Sequence, residues 1–233
     1  METMVDAAVA AVAAAVAAPE PAVEAVEVGA APKALPVLGP RAGLHYCTAR
    51  TAPVLEGPSL RRSRMVHQLV YGERVFVIAA SNDYRLTPYG WVHRGCVGRG
   101  NVLLGVERPY HFATRVQAFS EAPYLPGGTT PAGADCSGLV WGVLRGAAFA
   151  PGVELPRWVR GLVSVGTEVA QGEQRAGDLV LFLNRREVVQ HVGVLVSADL
   201  VLHSTMTHGG ARVQPLTEFT NVACLRRVLR EEA

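Results

Sequence analysis

The stretch GADCSGLVWG, residues 133–142, sets Cys136 between an acid and a serine, immediately after the Gly-, Pro- and Thr-rich run PGGTTPAGA. Cysteine is often just a small buried apolar residue, but its place here suggests chemistry. Leu139, Val140, Val143 and Leu144 recur at helical spacing, so a helix should begin near Asp135–Ser137 and fade by about Phe149, before Pro151. A thiol in the first turn meets unpaired backbone N–H groups and the positive end of the helix dipole, which favour thiolate. The same N–H groups, that of Cys136 among them, point where an oxyanion would form in acyl transfer. An activated thiol of this kind would react with iodoacetamide quickly even at mildly acidic pH, and a structural one slowly.

A nucleophile so placed needs a base. His191 opens the apolar stretch HVGVLV, and His203 ends VLHS twelve residues later. A two-strand antiparallel hairpin turning near Ser197–Asp199 would set the two imidazoles side by side. One ring could then take the thiol proton while the other holds it in the right tautomer. Zinc is the rival use of Cys136, His191 and His203, but no second cysteine or nearby acid is spaced to complete a closed tetrahedron. No metal and no cofactor is called for.

The elements that must position these groups form an α+β pattern. After the nucleophile helix, a second helix is predicted through Trp158–Ala170, weakened by Gly161 and Gly166. AGDLVLFL, QHVGVLVS, DLVLHST and VACLRRVL then read as strands joined mostly by short turns, which argues for helices on an antiparallel sheet. Asp178 in GDLVLF reads as a turn or strand-start residue. Upstream, from about Leu44 to Gly105, the pattern is short strands: APVLEGPS, then MVHQLVYGERVFVIAAS turning at Tyr71–Gly72, then YRLTPYGWVHRGCVG through Trp91 and Val92. Strands at this spacing, punctuated by Gly and Pro, suggest a small all-β barrel. Residues 1–40 are an Ala/Val/Pro/Glu-rich flexible tail, 41–105 the barrel and 106–233 the chemical domain.

Composition bounds the rest. A chain of 233 residues with 49% hydrophobic and 18% charged residues is long enough for a sizeable core. Its four cysteines lie far apart with no C-x-x-C pair, so neither a zinc ribbon nor a disulfide-dense scaffold is indicated. The net charge of +2 conceals nine arginines against three acids in residues 41–105. That excess reads as a solvated arginine surface or as docking onto an anionic polymer; no basic stripe with interleaved aromatics argues for nucleic acid. The apolar run Ala7–Ala18 is twelve residues, too short to span a bilayer. It has the length of a secretory h-region, but the preceding residues are acidic with no Lys or Arg. This points to the cytoplasm over the cell envelope, with no integral membrane segment. Oligomeric state is not legible.

DCSGLVWG, GDLVLF, HVGVLV and VLHST together resemble the NlpC/p60 family of papain-like cysteine peptidases, which hydrolyse peptide bonds in bacterial cell-wall peptides. The resemblance covers roughly residues 108–230. It implies a papain-like domain with Cys136 as nucleophile, His191 as general base and His203 as the polar third member. It also implies that Tyr124, in PYLPGG, points its hydroxyl into the site beside the oxyanion pocket. Asp135 and Ser137 match the residues flanking the family nucleophile and are candidate substrate contacts. Asp135 is read both as a carboxylate for a substrate ammonium and as the helix N-cap. YGERVFVIAASNDYRLTPYGWVHRGCVG resembles a bacterial SH3-like domain. Family members of this layout close a pocket on the free amine of a short peptide. They cut between γ-D-glutamate and a diamino acid, diaminopimelate or lysine. Stem peptides or muropeptides are thus the implied partners. One departure is LPRWVRGLVSVG, where Pro156 and Arg157 match the family's polar run but Trp158 and Leu162 replace polar positions. An acyltransferase or amidase with the same triad, and a non-catalytic wall-binding protein, are the alternative functions.

Overall fold

The computed structural model describes residues 42–99 and 110–230. The expectation of a tail over residues 1–40, and of a secretory segment within it, lies outside them. The chain forms two compact units, one with residues 42–99 and Pro126–Thr129, the other with 110–125 and 130–230.

The first unit has eight short strands: β1 (Gly43–Cys47), β2 (Thr51–Leu55), β3 (Met65–Val70), β4 (Arg74–Val77), β5 (Ala79–Ser81), β6 (Tyr84–Thr87), β7 (Gly90–His93) and β8 (Val97–Gly98). They make two antiparallel sheets, ordered β4-β1-β8 and β3-β2-β7-β6-β5. The sequence suggests one strand through VFVIAAS; the chain breaks at Ile78, and β4 and β5 go to different sheets. Alternation in β2 and β4 buries Ala52, Val54, Val75 and Val77, and Ala52, Val54 and Val75 join Cys47, Leu69, Val92 and Val97 in a small core. Gly72 makes the tight turn between β3 and β4 at φ 79°. Gly127 also belongs here: at φ +77°, an added Cβ would lie 2.6 Å from the Met65 carbonyl oxygen, so only glycine fits.

The second unit is an α+β layer. Its elements are α1 (Phe112–Phe119), the short strands β9 (Thr129–Thr130, whose first residue belongs to the first unit) and β10 (Gly133–Ala134), α2 (Cys136–Leu144) and α3 (Val159–Leu162). The strands β11 (Thr167–Glu168), β12 (Leu179–Leu183), β13 (Val189–Leu195), β14 (Leu200–Thr205), β15 (Gly210–Pro215) and β16 (Val222–Arg227) follow. The last six make one antiparallel sheet, ordered β11-β16-β12-β13-β14-β15. Helix α2 packs on β13 and β14, with α1 against it. Leu139, Val140, Val143 and Leu144 of α2 share a core with Leu179, Leu181, Val192, Val194 and Leu202. Residues one step out of phase, Val180, Phe182, Leu195 and Val201, form a second core, as the two-residue period of a strand requires.

The helices differ from the sequence reading in identifiable ways. Helix α2 ends at Leu144, short of Phe149, because Gly146 adopts φ +84° and Ala147 N–H turns back to the Leu144 carbonyl. The expected 158–170 helix shrinks to one turn: Gly166 takes φ +64°, and Thr167–Glu168 pair with β16 instead. Helix α1 and strand β15 are additions. Only Phe119 of α1 is buried, and GARVQP on its sheet edge has no buried residue and exposes Arg212 and Val213 side by side, so neither carries a strong apolar period. Among the described residues no helix is long and apolar enough to cross a membrane.

Candidate active site

Cys136 is the first residue of α2, and Asp135 is its N-cap: its Oδ1 accepts from Gly138 N–H at 2.6 Å. Arg157 clamps that carboxylate with both terminal nitrogens, at 3.1 and 2.8 Å, and donates to Ser137 Oγ at 2.7 Å. Ser137 Oγ in turn donates to Asp135 Oδ1 at 3.3 Å. The Arg157 side chain is 1% exposed and that of Asp135 15%, so the pair sits largely out of water. Trp141 Nε1 donates to the Leu155 carbonyl at 3.0 Å, which ties the loop carrying Arg157 to α2. Of the two readings of Asp135, the cap is present. Both hydrogen-bonding directions of Ser137 are used inside the protein, so a substrate would have to share them.

The loop before the helix is pinned from two sides. Tyr124 bridges Ala134, Ala134 N–H donates to the Pro123 carbonyl at 3.0 Å, and the buried Ser204 hydroxyl of β14 donates to the Ala134 carbonyl at 2.9 Å. Ser204 thus holds the strand of His203 against the loop that delivers Cys136. Burial raises the half-buried Tyr124 phenol above its ordinary range, and the nearby Cys136 and Asp135 push the same way.

The hairpin of β13 and β14 forms, turning through Ser197–Asp199, and brings His191 Nε2 within 2.9 Å of His203 Nδ1. The ladder pairs Gly193 with His203. A Cβ at 193 would lie 3.1 Å from His203 Cβ and 2.6 Å from a Val201 methyl, which accounts for the glycine in HVG. The rings stand edge to face with centroids 5.1 Å apart. Phe182 lies 5.4 Å from His191, Phe219 meets His203 edge-on at 5.2 Å, and the two phenyl rings touch at 4.7 Å. By alternation the histidines take the sheet face of Phe182 and Val201, not the face that α2 covers. The Cys136 sulfur meets β13 at its backbone: it accepts from the N–H of Val192, the residue after His191, and from that of Ser137.

The electrostatics correct one expectation. Burial raises the Cys136 thiol above its ordinary range and the Asp135 carboxylate adds to it. The two amide donors and Arg157 only oppose that rise. The helix start therefore does not hold a resting thiolate, because desolvation outweighs it. Alkylation of Cys136 by iodoacetamide, followed by peptide mapping, should be slow at pH 6 and climb through and beyond the ordinary thiol range. A rate already at its plateau at pH 6 would show a preformed thiolate.

Burial, then His203, lowers His191 to about 4. His203 is also lowered, by burial first, with His208 and Arg212 adding to the effect and the Gln214 bond opposing it. At neutral pH the thiol and both rings are thus uncharged. In the unfolded chain His191 titrates near its ordinary value, so between that value and about 4 the unfolded state binds more protons. Stability is then fully present above the unfolded value and falls as pH drops towards about 4, by about 3 kcal/mol from this ring alone. Urea unfolding from pH 7 down to pH 4 should show that slope, and a flatter one in His191→Gln.

The sequence reading did not anticipate the network around Arg157, the Ser204 tether or Gln214, which meets His203 Nε2 at 2.8 Å. Only Arg157 left a trace, as the basic residue of LPRW. Asp178 is structural: 2% exposed, it binds Arg227 at 2.9 and 2.8 Å and accepts from Arg175 N–H at the start of β12. All four cysteines are free, and among the described residues no group of three His, Cys, Asp or Glu side chains is arranged to hold a metal ion.

The site sets a buried, protonated thiol on the amide that follows the first of two neutral, hydrogen-bonded histidines, and known proteins share its sequence. Residues 121–228 match the family described as NlpC/P60. The chain is 32% identical over 102 residues to the γ-D-glutamyl-L-lysine dipeptidyl-peptidase of Bacillus subtilis, covering 43% of this chain and 33% of that protein. It is 31% identical over 99 residues to the probable endopeptidase NlpC of Escherichia coli, 42% of this chain and 62% of that one. A crystal structure of an NlpC/P60 family protein from Bacillus cereus aligns over 80% of this chain and 63% of its own, with TM-score 0.47 and 22% identity. The chain spans from about a third to under two thirds of the length of these two curated relatives. The cysteine at the helix start and the two histidines of the hairpin all fall within the matched segment, and the chain carries an NlpC/P60 family domain across residues 121–228.

Proposed function

We propose that this protein is a cysteine peptidase that hydrolyses peptidoglycan-derived peptides at the bond between γ-D-glutamate and a diamino acid. The observation that carries the reading is the seat of the Cys136 sulfur on the amide of Val192, the residue that follows His191, whose ring burial keeps neutral. His191 takes the thiol proton as the sulfur attacks the γ-carbonyl carbon; a C–S bond forms and the carbonyl π pair moves onto oxygen. The Cys136 backbone N–H and the Tyr124 hydroxyl receive that oxyanion. Its collapse breaks the C–N bond, and the departing amine leaves with the proton from His191. His191 then deprotonates a water that attacks the thioester, and the sulfur regains its proton. With both partners uncharged at rest, the proton has to leave the sulfur during turnover.

The substrate follows from the relatives' names and from the family layout. A papain-like domain and an SH3-like module over the eight-stranded unit belong to the same proposal, supported by the helix-on-sheet layer and by two small sheets around one core. Asp135 keeps some side-chain exposure beside Arg157, so a substrate ammonium can still meet its carboxylate. The test is mass spectrometry of products from L-Ala-γ-D-Glu-diaminopimelate and its N-acetylated form. Free diaminopimelate from the first and little from the second is expected. Cleavage elsewhere, or a product carrying a transferred acyl group in place of a free acid, would overturn the reading.

A further inference from the structure

Outward from the two histidines runs a chain of hydrogen bonds with a fixed direction. Glu218 lies in the 3-10 turn Leu216–Glu218 that follows β15, and its Oε2 is 2.7 Å from Gln214 Nε2. A carboxylate only accepts, so the Gln214 amide group must turn its NH2 towards Glu218. Its oxygen then faces His203 Nε2 at 2.8 Å. An amide oxygen also only accepts, so that ring nitrogen carries the hydrogen. A neutral imidazole has one N–H; His203 Nδ1 is therefore a lone pair, and it must accept from His191 Nε2 at 2.9 Å. The remaining nitrogen, His191 Nδ1, is left as a free base.

We propose that Gln214, oriented by Glu218, is a positioning residue that selects the base-competent tautomer of His191 through His203. The proposal rests on the reading of His191 as the general base. Reversing the one amide reverses everything inward of it. The NH2 of Gln214 would donate to His203 Nε2, His203 would donate from Nδ1 to His191 Nε2, and His191 would hold its hydrogen on Nδ1, with no lone pair for the thiol. Strand register supplies the placement: β14 and β15 pair Val201 with Gln214 and His203 with Arg212, so Gln214 lies diagonally across from His203 on the same face. Phe182 and Phe219 pack against the rings. His208 and Arg212 disfavour a charged His203 and so preserve the neutral state that the relay requires.

The experiment is long-range 1H–15N correlation NMR of the full chain labelled on histidine, with turnover of the stem tripeptide measured in parallel. The wild type is expected to show Nε2–H tautomers at both His191 and His203. Gln214→Leu should move both rings towards Nδ1–H and lower kcat by at least about tenfold with KM nearly unchanged. The double variant Gln214→Glu, Glu218→Gln keeps an acceptor at His203 and should restore the Nε2–H pair. Its carboxylate should also move the acid limb of the pH profile upward. Should Gln214→Leu fail to fold, Glu218→Ala at the exposed end of the chain must show the same tautomer shift in part. An Nδ1–H signal at His203 in the wild type would overturn the proposal, as would unchanged tautomers in Gln214→Leu, or in Glu218→Ala where that variant is the one read. The spectra are read without substrate, so loss of the peptidase reading alone would leave the tautomer result standing.

Discussion

Replacing Cys136 by alanine is expected to lower turnover of the stem tripeptide by roughly four orders of magnitude or more, leaving the fold intact. The magnitude follows from what a nucleophile does: without the sulfur no thioester forms, and the oxyanion donors and binding contacts alone retain only a small residual rate. The fold should survive because the core that α2 presents to the sheet is Leu139, Val140, Val143 and Leu144, with Cys136 only packed at its margin. The cap on Asp135 and the Arg157 clamp do not involve the sulfur. Circular dichroism and Tm should accordingly match the parent to within a few degrees. Turnover at the parental rate would remove Cys136 from the chemistry.

The second large effect is on stability. Arg157→Ala should destabilise the protein by about 3–5 kcal/mol, read as the free energy of urea unfolding. The guanidinium is almost wholly buried and binds both oxygens of a carboxylate that is itself largely out of water. Truncation removes the opposite charge from that carboxylate and the donor from Ser137 Oγ at the same time. Because Asp135 also caps α2, the helix start loosens, and with it the Ser137 N–H that donates to the sulfur. Pairing Arg157→Met with Asp135→Asn should recover much of the loss, since the penalty belongs to a buried charge that has lost its counter-charge and not to the absent pair. A single variant within 1 kcal/mol of the parent would show that Arg157 does not hold the helix start.

How much of this could be read before any coordinates depends on which residues carry a local signal. Cys136 at a helix start follows from PAGADCSG, because Gly and Pro delay the helix and the apolar spacing begins right after. The histidine pair follows from two apolar strands with a short turn, and the rings do meet at 2.9 Å. The ionisation of the thiol was not legible. Helix position alone predicts a stabilised anion, but the balance turns on how deeply the sulfur is buried, a property of packing. Gln214 escaped for a different reason: β15 is an edge strand with Val213 40% exposed, so GARVQP lacks the alternation that would mark a strand, and its partner His203 is eleven residues away. Arg157 stood in a visible motif, but nothing local reveals that it reaches back 22 positions to Asp135.

Acyl transfer to the Cys136 sulfur would leave an intermediate that can be intercepted, and partition of turnover with hydroxylamine reads it out. A thioester can be discharged by hydroxylamine as well as by water, whereas direct attack of water on the peptide leaves nothing to intercept. With L-Ala-γ-D-Glu-diaminopimelate as substrate, mass spectrometry should find the acyl half divided between free acid and hydroxamate, with the hydroxamate share rising with hydroxylamine concentration. Release of diaminopimelate with no hydroxamate at any concentration would contradict a covalent intermediate.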